Sequence, residues 1–226
     1  MKGGQPASAA NGASSDTLPI VAVYADESCL GNGREGENPG GAGGVIEYRA
    51  PRSGEVQRRD YWISEPATTN NRMALRSAIE AFRVLSGKGR RLRVYFTSDS
   101  RYLVDGMTAW TFDWVRRNWR RKAGPIENLE LWQELLDVAG AHDHYWRWVR
   151  GHAGHAQNEY ANMLATRAAA TQTHSAGAQP SEFEAWLAAE RARGGGARVG
   201  DAEGAPVPQR FARGCTLRAH ATGRLL

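Results

Sequence analysis

Cysteine is scarce, with two in 226 residues, Cys29 and Cys215. Two thiols cannot build a disulfide framework, and no pair has the spacing of a thiolate metal site. Long apolar runs are missing as well. The most apolar stretches, residues 19–25 and 135–140, fall far short of the roughly 18 residues needed to cross a bilayer, which excludes a helical membrane span. Residues 1–17 lack the apolar core of a secretory signal, so a cytoplasmic location and a monomer without a membrane partner are expected. No internal repeat is visible. What is present is 41% hydrophobic and 23% charged residues, a composition suited to one soluble core plus appendages. The net charge of +5 favours a polyanionic partner.

Composition divides the chain into three. Residues 1–17, rich in Gly, Ala, Ser and Asn, cannot bury enough surface to offset ordering entropy and read as a disordered leader. Residues 171–226 read as a low-complexity basic tail. Within it, residues 181–193 suggest one short helix, with Ser181 and Glu184 at capping-box spacing and Gly194 as a stop. Over residues 194–226, Arg198, Arg210, Arg213, Arg218 and Arg224 face only Asp201 and Glu203, so most of the net charge lies in that last stretch, where it could touch phosphate. Deleting the tail is expected to leave the core folded.

The core, residues 18–170, alternates strand and helix signals. Apolar runs predict strands at 20–24, 43–48 after a Gly-rich turn, and 56–64, an antiparallel meander. Met73, Leu75, Ile79, Phe82 and Leu85 predict a helix over 70–85. A strand follows at 92–97, then a helix over 99–121 interrupted near Gly106, a helix capped by Asn128 through 137, a strand at 145–149 and a helix over 156–170. This order makes a mixed α/β sheet.

Asp26 ends the first strand and Asp99 the fourth. Carboxylates at adjacent strand ends repel unless a cation neutralises them, and hard oxygen ligands suit Mg²⁺ or Mn²⁺. An isolated Asp is more often a turn or helix cap, so the pair needs its accompaniment. That accompaniment is DESCLGN over 26–32, PGGAGG over 39–44, TTNNRM over 68–73, SDSRY over 98–102, LWQ over 131–133 and WVRGHAGH over 148–155 with Asn158 and Glu159. These segments, in order and interval, resemble the ribonuclease H family, type 1, across the core but neither tail.

The resemblance implies a five-stranded mixed sheet flanked by helices, in strand order 3-2-1-4-5. It implies cleavage of the RNA strand in RNA–DNA hybrids, leaving a 3′-hydroxyl and a 5′-phosphate, with up to two Mg²⁺ or Mn²⁺ ions held by four carboxylates. Asp26 and Asp99 match two of them. The family glutamate falls on Ala74, and the last aspartate falls on Asn162, a neutral oxygen ligand at best. Glu27 stands where the family has glycine. Strand alternation turns it to the face opposite Asp26, so it compensates only if its side chain swings toward the metals where the strand ends and alternation lapses. Losing the glutamate should then cost roughly two to three decades in rate, which Ala74→Glu would restore. His152 matches the family histidine that assists proton transfer or product release. A Zn²⁺ site at His152 and His155 is disfavoured because no further ligand lies at suitable spacing.

Binding does not need the missing carboxylates. Asn32, Asn70, Asn71 and Arg101 match positions that contact the hybrid, and Thr68 and Thr69 could reach phosphate. Asn70 and Asn71 read equally as an ordinary helix cap. Trp110 and Trp114 share a helix face, and with Arg116, Arg117, Arg120, Arg121 and Lys122 they match the family's basic protrusion. We expect the tryptophans to pack and the cations to face nucleic acid. The alternative is a catalytically inactive module that binds hybrid or double-stranded nucleic acid.

Overall fold

A computed structural model of the chain describes residues 18–31, 38–87, 89–194 and 199–217. The predicted leader, Asn32 and the loop after it, and Arg198, Arg218 and Arg224 lie outside the described residues. Strands β1 (Ile20–Cys29), β2 (Gly40–Arg49) and β3 (Val56–Glu65) form the antiparallel meander; β4 (Arg93–Ser98) pairs parallel with β1, and β5 (Asp143–Trp148) parallel with β4. Their order, 3-2-1-4-5, is the expected one. Among the described residues the sheet nevertheless has seven strands. β6 (Gln179–Pro180) pairs with β3, and β7 (Ala212–Arg213) pairs with β5, so the segment read as a tail closes both edges.

The alternation of β1 sorts two layers. Val21, Val23 and Ala25 pack under α1 (Asn70–Ser86) and α4 (Leu129–Ala139), with Ala74, Phe82, Trp132 and Leu135. Ala22 and Tyr24 face α5 (Ala156–Thr171) and α6 (Phe183–Ala192), with Tyr160, Leu164, Phe183 and Leu187. α1 buries all five residues of its predicted stripe, each contributing roughly 1.5–3 kcal/mol. The Gly-rich stretch before Val45 is strand, not turn. A Cβ on Gly41 would stand 2.2 Å from the Ala165 carbonyl and one on Gly43 2.5 Å from Leu164, so glycine lets α5 lie directly on β2.

Several local expectations change. The long helix after Asp99 divides into α2 (Arg101–Asp105), a π-helical turn (Gly106–Trp110) and α3 (Thr111–Arg116), where the Thr111 hydroxyl donates to the Gly106 carbonyl at 2.8 Å. Thr69, not an asparagine, caps α1, accepting the Arg72 N–H. Asn128 precedes α4 in a left-handed conformation without a side-chain cap, and its amide instead donates to the Tyr102 hydroxyl. Ser181 accepts the Phe183 N–H, but the capping box does not close, because α6 begins at Phe183.

The tail reading needs the largest correction. Phe183, Leu187, Val199 and Cys215 are buried. Tyr160 Oη and Asp60 accept the Glu182 N–H, and Arg58 pairs with Glu184. Low-complexity composition hid a segment that pairs with two residues of each edge strand. Its arginines are partly engaged with protein carboxylates, Arg191 with Asp201 and Arg210 with Glu203. Among the described residues no helix is long and apolar enough to cross a membrane.

Candidate active site

The two parallel strands differ in reach. β4 ends at Ser98, opposite Ala25, whereas β1 continues to Cys29 paired only with β2. Past Ala25 one edge of β1 is therefore open. Asp26, on the α5 parity, lies there beside Asp99, and Glu27, on the α1 parity, reaches over the end of β4 toward Asp99 and Ser100. Carboxylate oxygens of Asp26, Glu27 and Asp99 all lie within 4.8 Å of one another. Of the two courses open to Glu27, this is the swing toward the site and not the one that alternation alone would set. Alternation sets the face from which the side chain starts; the missing strand neighbour lets a long side chain come round the end.

Burial shapes the charge. Asp26 is 5% exposed, and its pKa is driven far upward by desolvation, then by the Asp99 and Glu27 charges, against one stabilising hydrogen bond from the Glu27 N–H at 2.7 Å. Glu27 is pushed up to about 8 by desolvation and by Asp99, with the Ser100 hydroxyl opposing. At an effective dielectric near 20, each charged pair at this separation repels by roughly 3–4 kcal/mol. Three such groups cannot all ionise without a counter-cation. Asp99 Oδ1 is buried with no hydrogen-bond partner among the described residues. An orphaned hard oxygen between two other carboxylates fits a divalent cation.

The other expected residues surround this cluster unequally. Ala74 is buried in the α1 layer with Ala25, so the family's glutamate would approach from the side Glu27 now uses. Asn162 is half-buried on α5, one turn beyond Asn158, whose amide donates to the Ala25 carbonyl at 3.5 Å. His152 is exposed, with a positive φ of 52°, in the loop between β5 and α5, and its Nδ1 lies 3.7 Å from Glu159. That loop is held against the cluster by close packing: Gly151 abuts the Asp99 carboxylate, and the Trp148 indole N–H donates to the Asp99 carbonyl at 2.8 Å. Arg101 lies flat on Trp148, 3.7 Å from the ring centre. Thr68 Oγ1 and Asn70 Oδ1 are buried without hydrogen-bond partners among the described residues, Thr69 is exposed and Asn71 half-buried. On the protrusion, Trp114 is buried, Trp110 is 37% exposed and tilted against Trp114, Arg116 pairs with Asp113, and Arg117 and Arg120 are exposed.

Sequence reasoning missed the group behind α5. Glu203 accepts from both guanidinium nitrogens of Arg147 and from His155 Nε2, and Arg147 also reaches Thr97, two residues before Asp99. Burial raises the Glu203 pKa, but His155 and Arg147 outweigh it and leave the carboxyl well below its usual range. Glu203 sits in a stretch without periodicity, so no local signal pointed to it.

Adjacent strand-end carboxylates on a mixed sheet, with an imidazole-bearing loop above and a basic helical arm beside them, define a polynucleotide hydrolase of the α/β class. Residues 19–170 match the RNase H family, and the chain belongs to it. That family is generally dependent on divalent metal. A ribonuclease H of Pelobacter propionicus is 41% identical over 165 residues, covering 73% of this chain and 93% of its own. A ribonuclease H of Granulibacter bethesdensis is 43% identical over 150 residues, covering 66% and 91%. A solved structure, of LC9-RNase H1, described as a type 1 RNase H with the type 2 active-site motif, is 58% identical with a TM-score of 0.81, covering 92% of this chain and 98% of that one.

Proposed function

We propose that the acidic cluster and the face around it carry out the reaction of the family, with a carboxylate set that differs from the usual type 1 set. The chain is a ribonuclease H, a phosphodiester hydrolase acting on the RNA strand of RNA–DNA hybrids. The observation that carries this reading is the convergence of Asp26, Glu27 and Asp99 within 4.8 Å. Asp26, Glu27 and Asp99 would hold Mg²⁺ or Mn²⁺, up to two ions, with the Asn162 amide oxygen as a neutral fourth donor. Bound there, divalent cations lower the pKa of an attacking water and stabilise the leaving oxygen.

The protein's own groups do the rest. Glu27 supplies the negative charge that Ala74 does not, from the same layer, so the expected loss of two to three decades does not follow. The solved relative's description as type 1 with a type 2 motif is in keeping with a rearranged carboxylate set. His152, tethered near Glu159, moves a proton at the leaving oxygen or helps release product. Thr68, Asn70 and Asn71 offer donors and acceptors to sugar and phosphate, Arg101 is oriented by Trp148, and Trp110, Arg117 and Arg120 meet the other strand. Trp114 packs, and Arg116 is shared with Asp113.

The deciding experiment is cleavage of a labelled RNA–DNA hybrid in Mg²⁺ and in Mn²⁺ beside Asp99→Asn. Turnover abolished by that substitution supports the nuclease. Salt-sensitive hybrid binding without turnover in either metal would establish the inactive binding module instead.

A further inference from the structure

We propose that Glu203, on the C-terminal segment, is a positioning residue for the nuclease site, acting through His155 to fix the His152 loop and the start of α5 against the acidic cluster. The inference rests on the reading of that cluster as the reacting centre. The family model matches residues 19–170, so Glu203 lies outside it.

The segment grips the loop at successive points. The Gly200 N–H donates to the Gly154 carbonyl at 2.8 Å, and Val199 is buried in the layer between α5 and α6. The Glu203 N–H donates to Gln157 Oε1 at 3.0 Å, while Gln157 Nε2 donates back to the Glu203 carbonyl at 3.0 Å. Gln157 is fully buried in the first turn of α5, so this reciprocal pair fixes the segment to the helix. From there the Glu203 carboxylate takes Arg147 on one side and His155 Nε2, at 3.1 Å, on the other.

His155 transmits the hold. Its Nδ1 accepts the Asn158 N–H and so caps α5, which places the ring proton on Nε2, the nitrogen that faces Glu203. Carboxylate, imidazole and helix end thus form a chain in which each group selects the orientation of the next. At its far end stand Asn158, bonded to the carbonyl before Asp26, and Asn162 one turn on. The same loop brings Gly151 against Asp99. A site of this kind loses rate when a reacting group moves by a fraction of an ångström, even if substrate still binds.

The test compares wild type, Glu203→Gln and Glu203→Asp in steady-state cleavage of the hybrid, well below each protein's melting temperature, with hybrid affinity measured separately. Glu203→Gln should lower kcat by tenfold or more with KM and hybrid Kd changed less than twofold, and Glu203→Asp should recover part of the loss. A purely structural role would lower Tm and leave kcat of the folded enzyme unchanged, and that result overturns the proposal. A rise in KM or Kd at constant kcat also overturns it, by making the segment a substrate contact. Should Glu203→Gln not fold, the long-range ¹H–¹⁵N spectrum of the wild-type histidines decides. His155 protonated on Nε2 supports the chain, and a proton on Nδ1 breaks it. Wild type inactive on hybrid in both metals would instead refute the functional reading, and this inference with it.

Discussion

Gly151 and Asp99 are in such close contact that a Cβ on Gly151 would stand 2.3 Å from Asp99 Oδ2. The glycine holds the loop at the distance where the carboxylate can still face Asp26 and Glu27. Gly151→Ala should therefore push Asp99 aside and lower kcat on hybrid by about ten- to a hundredfold, while far-ultraviolet circular dichroism stays unchanged. An alanine variant with wild-type kcat would mean that Asp99 needs no such fit.

Glu27 and Ala74 make a paired prediction. Glu27→Gln removes a charge from the cluster and is expected to cost roughly two to three decades in rate. Ala74→Glu, which the sequence suggested as a restoration, should instead leave kcat unimproved and lower stability, because residue 74 is 1% exposed in an apolar layer and a further carboxylate would crowd Glu27. Kinetics and chemical denaturation of both variants check this. A faster Ala74→Glu enzyme would contradict the placement of Glu27.

Metal and protons should compete. In the metal-free protein, Asp26 and Glu27 keep protons that the unfolded chain has already released, so their contribution to stability is present at low pH and is lost as pH rises from about 4 toward about 8 for Glu27 and about 10 for Asp26. A divalent cation reverses that loss. Mg²⁺ should raise Tm more at pH 8.5 than at pH 5.5, and Glu27→Gln should shrink the difference. Equal shifts at the two pH values would argue against cation binding by this cluster.

His144 sets a second pH window, with the opposite sign. Burial first, then the Arg213 and His142 charges, hold its pKa down to about 4, against an ordinary 6.5. Its Nδ1 accepts the Trp146 indole N–H, which suits the neutral ring. The unfolded chain protonates first as pH falls, so stability from this residue is complete above about 6.5 and declines by roughly 3 kcal/mol down to about 4. Urea unfolding of His144→Phe across that range should show a flatter profile than wild type; parallel profiles would exclude the assignment.

The C-terminal segment offers a stability test. Phe183 is fully buried beneath Arg58, whose guanidinium lies 4.7 Å over its ring, and packs on Tyr160. Phe183→Ala should cost about 3–5 kcal/mol in denaturant unfolding, and removal of residues 171–226 should destabilise the core rather than leave it intact. A truncated chain with unaltered Tm would return the segment to the status of an appendage.

Some of this was legible in the chain. The stripe of α1 and the run of β4 follow from local periodicity, because each buries a single contiguous face. Asp26 and Asp99 were found through the family segments that accompany them, since a lone aspartate reads as readily as a cap. The loop around His152 was found through its motif, but its distance from Asp99 was not, since nothing in Gly151 itself names the atom that needs the space. The alternative reading of Asn70 and Asn71 as a helix cap falls to Thr69, one residue earlier, whose hydroxyl serves as well.

The amino-acid order by itself determined the layers: alternation and helical spacing are set by backbone geometry and decide which side chains must leave water. It could not determine where one strand stops beside another, and that difference in length brings Glu27 to Asp99. Nor could it place Glu203, since the stretch around it carries no period, and its position is set by contacts with Arg147 on β5 and with His155 and Gln157 at the start of α5 that exist only after the core has closed.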